Sequence, residues 1–245
     1  MKLRFALASL ALVLAGCGDG GGNSATPAAP VQGQAAPAGQ SWTETVAQTP
    51  EGGFRMGNPD APIKLVEYGA RTCPTCAQFS KDSTEPLHGY VSTGKVSFEF
   101  RDFLVHGSQD LAAALLGRCG GTGPFFPILD QMFASQSEWL DRLLAAARQP
   151  GFEQRLASLQ PTETMTALAE AMGLIDFVKQ RGIPEQRARA CLTDRATMDR
   201  LVELTQQATS SGRVTGTPTF LLNGEPLEGA VSWEQVEQAL KRAGA

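Results

Sequence analysis

The sequence predicts an α/β domain interrupted by an all-helical insertion, and three observations carry that prediction. Two β-rich runs, IKLVEY at 63–68 and KVSFEFRDFLV at 95–105, flank a segment that opens with a helix-start signal. Residues 108–211 then place apolar side chains at helical spacing in LAAALL, ILDQMF, WLDRLLAAA, MTALAEAMGL and RATMDRLVELTQQA, with Gly and Pro breaks between them. Strand character returns in TPTFLLNG at 217–224 and PLEGAV at 226–231, before a closing helix. The expected order is β-α-β, helical insertion, β-β-α. A chain of 245 residues that is 42% apolar can bury one large core or two small ones. Its formal charge of −4, with no Lys/Arg cluster in the body, argues against a nucleic-acid partner.

The elements follow in chain order. Lys2 and Arg4 precede the apolar run FALASLALVLAG at 5–16, which is too short to span a bilayer and reads as a signal peptide over 1–16. The run ends in LAGC, similar to the lipobox of bacterial lipoproteins. Cys17 is therefore expected to be the first mature residue and to carry lipid, with ordinary cleavage beside a free Cys17 as the alternative. Residues 17–45 are expected to form the lipidated cysteine and a flexible tether, because 18–41 consists almost wholly of Gly, Ala, Pro, Ser, Gln and Asn. The body would then sit in the periplasm, held to a lipid bilayer; which of the two membranes holds it stays open.

Residues 46–107 are expected to form the first half of the α/β domain. NPDAP signals a turn before the first strand, and that strand feeds RTCPTCAQF at 71–79. Pro74 suits a first helical position, where its missing N–H would have had no partner, so Cys73 falls at the N-cap and Cys76 one turn inside. The helix is expected to run through Phe79 toward Pro86. After the insertion at 108–211, residues 212–245 are expected to complete the domain. Its last helix is capped by Ser232, followed by Glu234, with Val236 and Leu240 on one face.

The cysteine pair can be a redox couple, a staple or half of a metal site. A bridge across so small a loop removes little unfolded-state entropy, which makes it a poor staple. A zinc site needs a second pair, but Cys119 and Cys191 are single, and His88 and His106 are not at zinc-ligand spacing with them. Neither a metal nor any other cofactor is expected. The redox reading gains from placement: unpaired amides at a helix N-terminus favour an anion, so Cys73 is expected to attack and Cys76 to resolve. Pro218, at the mouth of a strand, is read as a cis proline in a tight turn. Glu67 is either an edge carboxylate or a buried acid placed to take the Cys76 proton. In GPFFPILDQMF, Phe125, Phe126 and Leu129 line a client groove or pack in a helical core. Met132, Met165, Met172 and Met198 read as core filler, and the two histidines receive no role.

Together GNPDAPIKLVEY, CPTC, the helical insertion and VTGTPTFLLNG resemble the DsbA-like branch of the thioredoxin superfamily over roughly residues 50–243. The resemblance implies a thioredoxin fold with an inserted all-helical domain, with Cys73 exposed and attacking, Cys76 its partner and Pro218 cis beside them. It implies that Thr217 offers backbone hydrogen bonds to an extended substrate, flanked by Pro74 and Thr75, and that Glu67 is the buried acid. The strongest oxidases of this branch carry histidine where Thr75 stands. Thioredoxin-like and DsbA-like potentials differ by about 150 mV, so an intermediate potential is expected.

Cys119 and Cys191 flank the helical block, and a second, structural disulfide is the leading reading; two buried free thiols or an auxiliary redox relay are the alternatives. The function expected is an exported, membrane-tethered thiol:disulfide oxidoreductase. Its partners would be unfolded or reduced exported proteins and a membrane redox protein. A disulfide isomerase or reductase of the same fold, and a peptide-binding chaperone with an incidental C-x-x-C, are the alternatives.

Overall fold

A computed structural model describes residues 29–245. The expected signal peptide, Cys17 and the first part of the tether lie outside the described residues. Residues 29–45 do not form a free tether. The Val31 N–H donates to Gly244 O (2.9 Å) and the Trp42 indole N–H to Gln34 O (2.6 Å), with Trp42 buried against the body. The run is docked at Val31 and Gln34, and the buried Trp42 side chain supplies the large apolar surface that Gly, Ala and Pro lack.

Two strands precede the expected ones. β1 (Val46–Gln48) and β2 (Phe54–Met56) pair antiparallel, and at three residues each they are too short to display alternation. β3 (Ile63–Gly69) pairs in parallel with β4 (Val96–Asp102), as a crossover helix between them requires. β5 (Thr219–Leu222) runs antiparallel to β3 on its other side, and the two-residue β6 (Glu225–Pro226) closes the sheet order β1-β2-β4-β3-β5-β6. PLEGAV thus gives only Pro226 to the sheet, and its remainder turns toward the last helix. Asn223 and Gly224 link β5 to β6 with φ of 51° and 88°, the positive values that a tight hairpin turn demands.

The crossover is α1 (Pro74–Ser92), which continues through Pro86 instead of stopping there. Proline removes one hydrogen bond from the helix interior. Leu87 and Val91, which follow it on the same helix, are almost fully buried in the core beneath the sheet, and their burial offsets the loss. The insertion comprises α2 (Ser108–Arg118), α3 (Phe125–Ala134), α4 (Gln136–Ala147), α5 (Phe152–Ser158), α6 (Pro161–Met172), α7 (Leu174–Lys179), α8 (Glu185–Leu192) and α9 (Arg195–Ser210). α10 (Trp233–Arg242) is the last element of the chain. The Ser232 hydroxyl accepts the Gln235 N–H, and the Gln235 side chain accepts the Ser232 amide in return.

Two apolar cores share α3, whose apolar side chains face both of them and leave Pro127, Gln131 and Ala134 as its exposed face. Ile128 and Met132 join the helical core. Phe125, Phe126, Leu129 and Phe133 join the core beneath the sheet, where Phe125 stacks on Phe54 with ring centroids 3.8 Å apart. Phe125, Phe126 and Leu129 are core residues and do not line an exposed groove. The four methionines singled out from the sequence are buried, none more than 4% exposed.

Candidate functional site

Cys73 is the N-cap of α1, and its Sγ accepts the Cys76 N–H at 3.2 Å. The local sequence dictates this arrangement: Pro74 cannot donate, so the helix starts there and the next free amide with the right reach is that of Cys76. Both cysteines are unbonded; Cys76 is fully buried, and Cys73, expected to be exposed, is buried too at 6% exposure, because Pro74 and Thr75 take the exposed positions beside it. From the other half of the domain, the Thr217 carbonyl lies 3.4 Å from Cys73 Sγ, and the Thr217–Pro218 peptide is cis, with Pro218 buried. Cys73, Cys76, Thr217 and Pro218 thus meet at one end of the sheet, although 144 positions separate Cys73 from Thr217.

The two sulfurs differ in acidity. Cys73 is lowered from the ordinary cysteine value to about 6, first by the hydrogen bond from the Cys76 thiol. Burial opposes this, and the Thr217 side chain and the amides of Cys76 and Thr75 add to it. Burial pushes the Cys76 thiol far up, and its bond to Cys73 and the negative charges of Glu67 and Cys73 push the same way. Glu67, the fifth residue of central strand β3, is 2% exposed and so is no edge carboxylate. Burial, then the charges of Cys73 and Asp130, raise its carboxyl well above the usual range, and its Oε1 has no hydrogen-bond partner. This trio is a sulfur whose thiolate is favoured, a sulfur whose thiol is favoured and a carboxyl whose protonated form burial favours.

Residues that carry no local sequence signal hold the site in place. Gln136, at the start of α4, donates from Nε2 to the carbonyls of Arg71 (2.8 Å) and Cys73 (2.9 Å), tying the insertion to the cysteine loop. Asp110 on α2 accepts the amides of Thr72 (2.9 Å) and His106 (2.7 Å), and the Thr72 hydroxyl bonds His106 Nδ1 at 2.6 Å. Arg71 is buried; its Nε donates to Asp102 Oδ1 (2.8 Å), whose other oxygen accepts from Arg118 (2.9 Å). Gly117 leaves the room that the Arg71 guanidinium fills, since a Cβ there would strike it. Cys119, at the end of α2, is bonded to Cys191 on α8, with Cα atoms 5.8 Å apart. This bond lies within the helical core and apart from Cys73 and Cys76.

A sheet of this order, a helix capped by the first cysteine of C-x-x-C, and a helical insertion between the two halves define a thioredoxin-like fold of the DsbA-like kind. A family model described as Thioredoxin matches residues 49–242, and the chain belongs to that family. The crystal structure of a protein-disulfide isomerase from Novosphingobium aromaticivorans is similar, with 30% identity and a TM-score of 0.71 over 78% of this chain and 97% of that one. Wolbachia pipientis alpha-DsbA1 shares the fold at 20% identity and a TM-score of 0.61, over 78% of this chain and 89% of its own. A Rickettsia bellii protein provisionally named a protein-disulfide oxidoreductase is 28% identical over 71% of this chain. This chain spans 58% of that relative's length.

Proposed function

We propose that the protein is a thiol:disulfide oxidoreductase that forms or exchanges disulfides in exported proteins through Cys73 and Cys76. The observation that carries this reading is the opposed acidity of the two sulfurs. Starting from a Cys73–Cys76 disulfide, a client thiolate attacks Cys73 Sγ, and the electron pair of the broken bond passes to Cys76. Buried Cys76 takes a proton from Glu67 as it leaves. A second client thiolate then attacks the client sulfur of the mixed disulfide, forms the client disulfide and expels Cys73. That departure is favourable because Cys73 is stable as a thiolate, and a low-pKa thiol is the better leaving group. Two electrons move from client to enzyme, and a membrane redox partner removes them. Thr217, beside Cys73, is placed to bond the backbone of an extended client.

Export and attachment through lipid on Cys17 belong to the same proposal, supported by the LAGC sequence. Among the described residues no helix is long and apolar enough to cross a membrane. A Cys17→Ser variant released from the membrane fraction would support the anchor, and one that stays there would remove it. With Thr75 between the cysteines, the reduction potential should fall between the about −270 mV of thioredoxin and the about −120 mV of DsbA.

The test of the reaction is trapping. Cys76→Ala should accumulate mixed disulfides between Cys73 and client proteins, and Cys73→Ala should abolish both adducts and function. Function retained in Cys73→Ala would support a peptide-binding module instead. Isomerisation is a second reading, favoured by the likeness to the Novosphingobium isomerase, and it shares the attack on Cys73. Rescue of scrambled ribonuclease by the reduced protein alone would favour it.

A further inference from the structure

Cys76 cannot work without proton traffic, since it gains a proton when it leaves and must lose one when it attacks. Glu67 is the adjacent acid, yet it is 2% exposed and its Oε1 has no partner. An acid sealed from water transfers a proton once and then needs to be reset. The same carboxyl lines a cavity of about 20 Å³, room for one water molecule, between α1 and α3. Asp130 of α3 also lines it, with Ser80, Thr84 and His88 of α1; β2 and β4 present only the apolar Met56 and Phe98 there.

We propose that Asp130 relays protons between solvent and Glu67 through this cavity, so that the helical insertion supplies part of the proton path of Cys76. The proposal rests on the thiol–disulfide reading above and adds a residue to it. Asp130 interrupts the apolar sequence PFFPIL…QMF and is only partly buried, so of the two carboxyls it is the one in reach of bulk water. Its Oδ1 accepts from Ser80 Oγ at 3.4 Å, which aims the carboxyl at α1. Burial pushes it up to about 6 against the bonds from Ser80 and Thr84, so it trades protons with solvent near neutral pH. Its charge raises Glu67, which shows the two groups to be coupled. Half-buried His88, which also lines the cavity, is held below its ordinary value by burial, which disfavours its charged form.

The proton balance closes. When the Cys73–Cys76 bond breaks, Cys76 takes the electron pair and the Glu67 proton; Glu67 recovers a proton from Asp130 through the cavity water, and Asp130 recovers its own from solvent. Reoxidation reverses each transfer.

The test needs no client. The reduced full chain is mixed with excess oxidised glutathione, and two phases are followed: mixed-disulfide formation at Cys73 and ring closure by Cys76. Asp130→Asn keeps the shape and the Ser80 bond but cannot carry a proton. It should slow closure by about tenfold or more, toward the range a general acid or base contributes. It should also erase an inflection near pH 6, leaving the Cys73 phase unchanged. The double variant with Glu67→Gln should close no more slowly than Glu67→Gln alone, and Asp130→Glu should restore the inflection. An unchanged closure profile in Asp130→Asn, or losses that multiply in the double variant, would overturn the relay. If the wild-type chain forms the mixed disulfide and never closes, the thiol-exchange reading falls and the relay with it.

Discussion

The backbone N–H of Cys76 donates to Sγ of Cys73 at 3.2 Å, and the thiol of Cys76 is the largest influence lowering Cys73. The second cysteine therefore activates the first before it resolves anything. The sequence pattern credits the helix terminus with this, but in the structure the amides of Cys76 and Thr75 come after the neighbouring thiol. Removing that thiol has a defined consequence. In Cys76→Ala the Cys73 titration should move up from about 6 toward an ordinary cysteine, while Cys76→Ser, which keeps a hydroxyl donor, should move it less. Alkylation rate against pH measures both.

Glu67 destabilises the folded protein at neutral pH. Its carboxyl is raised above its unfolded value, so the folded chain holds a proton that the unfolded chain has released. Stability must then fall as pH rises past the ordinary carboxylate range. Glu67→Gln should raise the melting temperature at pH 8 and change it little at pH 4. A variant equally stabilised, or equally destabilised, at both values would contradict the assignment.

Asp102 titrates in the opposite sense. Burial alone would push its carboxyl up, but Arg71 and Arg118 overcome burial and hold it below the usual range. Its contribution is present above the unfolded pKa and is lost as pH falls through the folded one. Asp102→Asn leaves the buried Arg71 without its ion pair and should cost about 3–5 kcal/mol, measured by urea unfolding at pH 7. Because Gln136 also holds the Arg71 carbonyl, the loss should spread to the cysteine loop as faster amide exchange.

The Cys119–Cys191 bond closes a loop of 72 positions. In the chain-entropy account such a loop contributes about 4 kcal/mol. Replacing both residues with serine should lower stability by that order while leaving Cys73 alkylation unchanged, because the bond lies in the other core. Unchanged melting under oxidising conditions would show the pair to be dispensable.

Local patterns make part of this molecule legible. IKLVEY and KVSFEF announce β3 and β4 because their β-rich composition marks them as strands, and Pro74 announces the start of α1. β1 and β2 escape notice because three residues hold no period, and α1 outruns Pro86 because tertiary burial of Leu87 and Val91 overrides a local breaker. The polar run before Trp42 reads as free because its anchor is one side chain beyond it. The site divides the same way. C-x-x-C and Thr-Pro are visible in the sequence, whereas Arg71 with Asp102, and Cys73 with Gln136, join segments 31 and 63 positions apart and leave no local trace. Asp130 does leave one, a lone charge in an apolar helix, and it gains a meaning only with Glu67 across the cavity.

The most direct test is the pH dependence of Cys73 alkylation by iodoacetamide in the reduced wild-type chain. A midpoint near 6, with Cys76 unreactive across the range, is the expected result. A midpoint near the ordinary cysteine value of about 8.5 would mean that Cys73 is no better a nucleophile or leaving group than an unstructured thiol, and the account would fail.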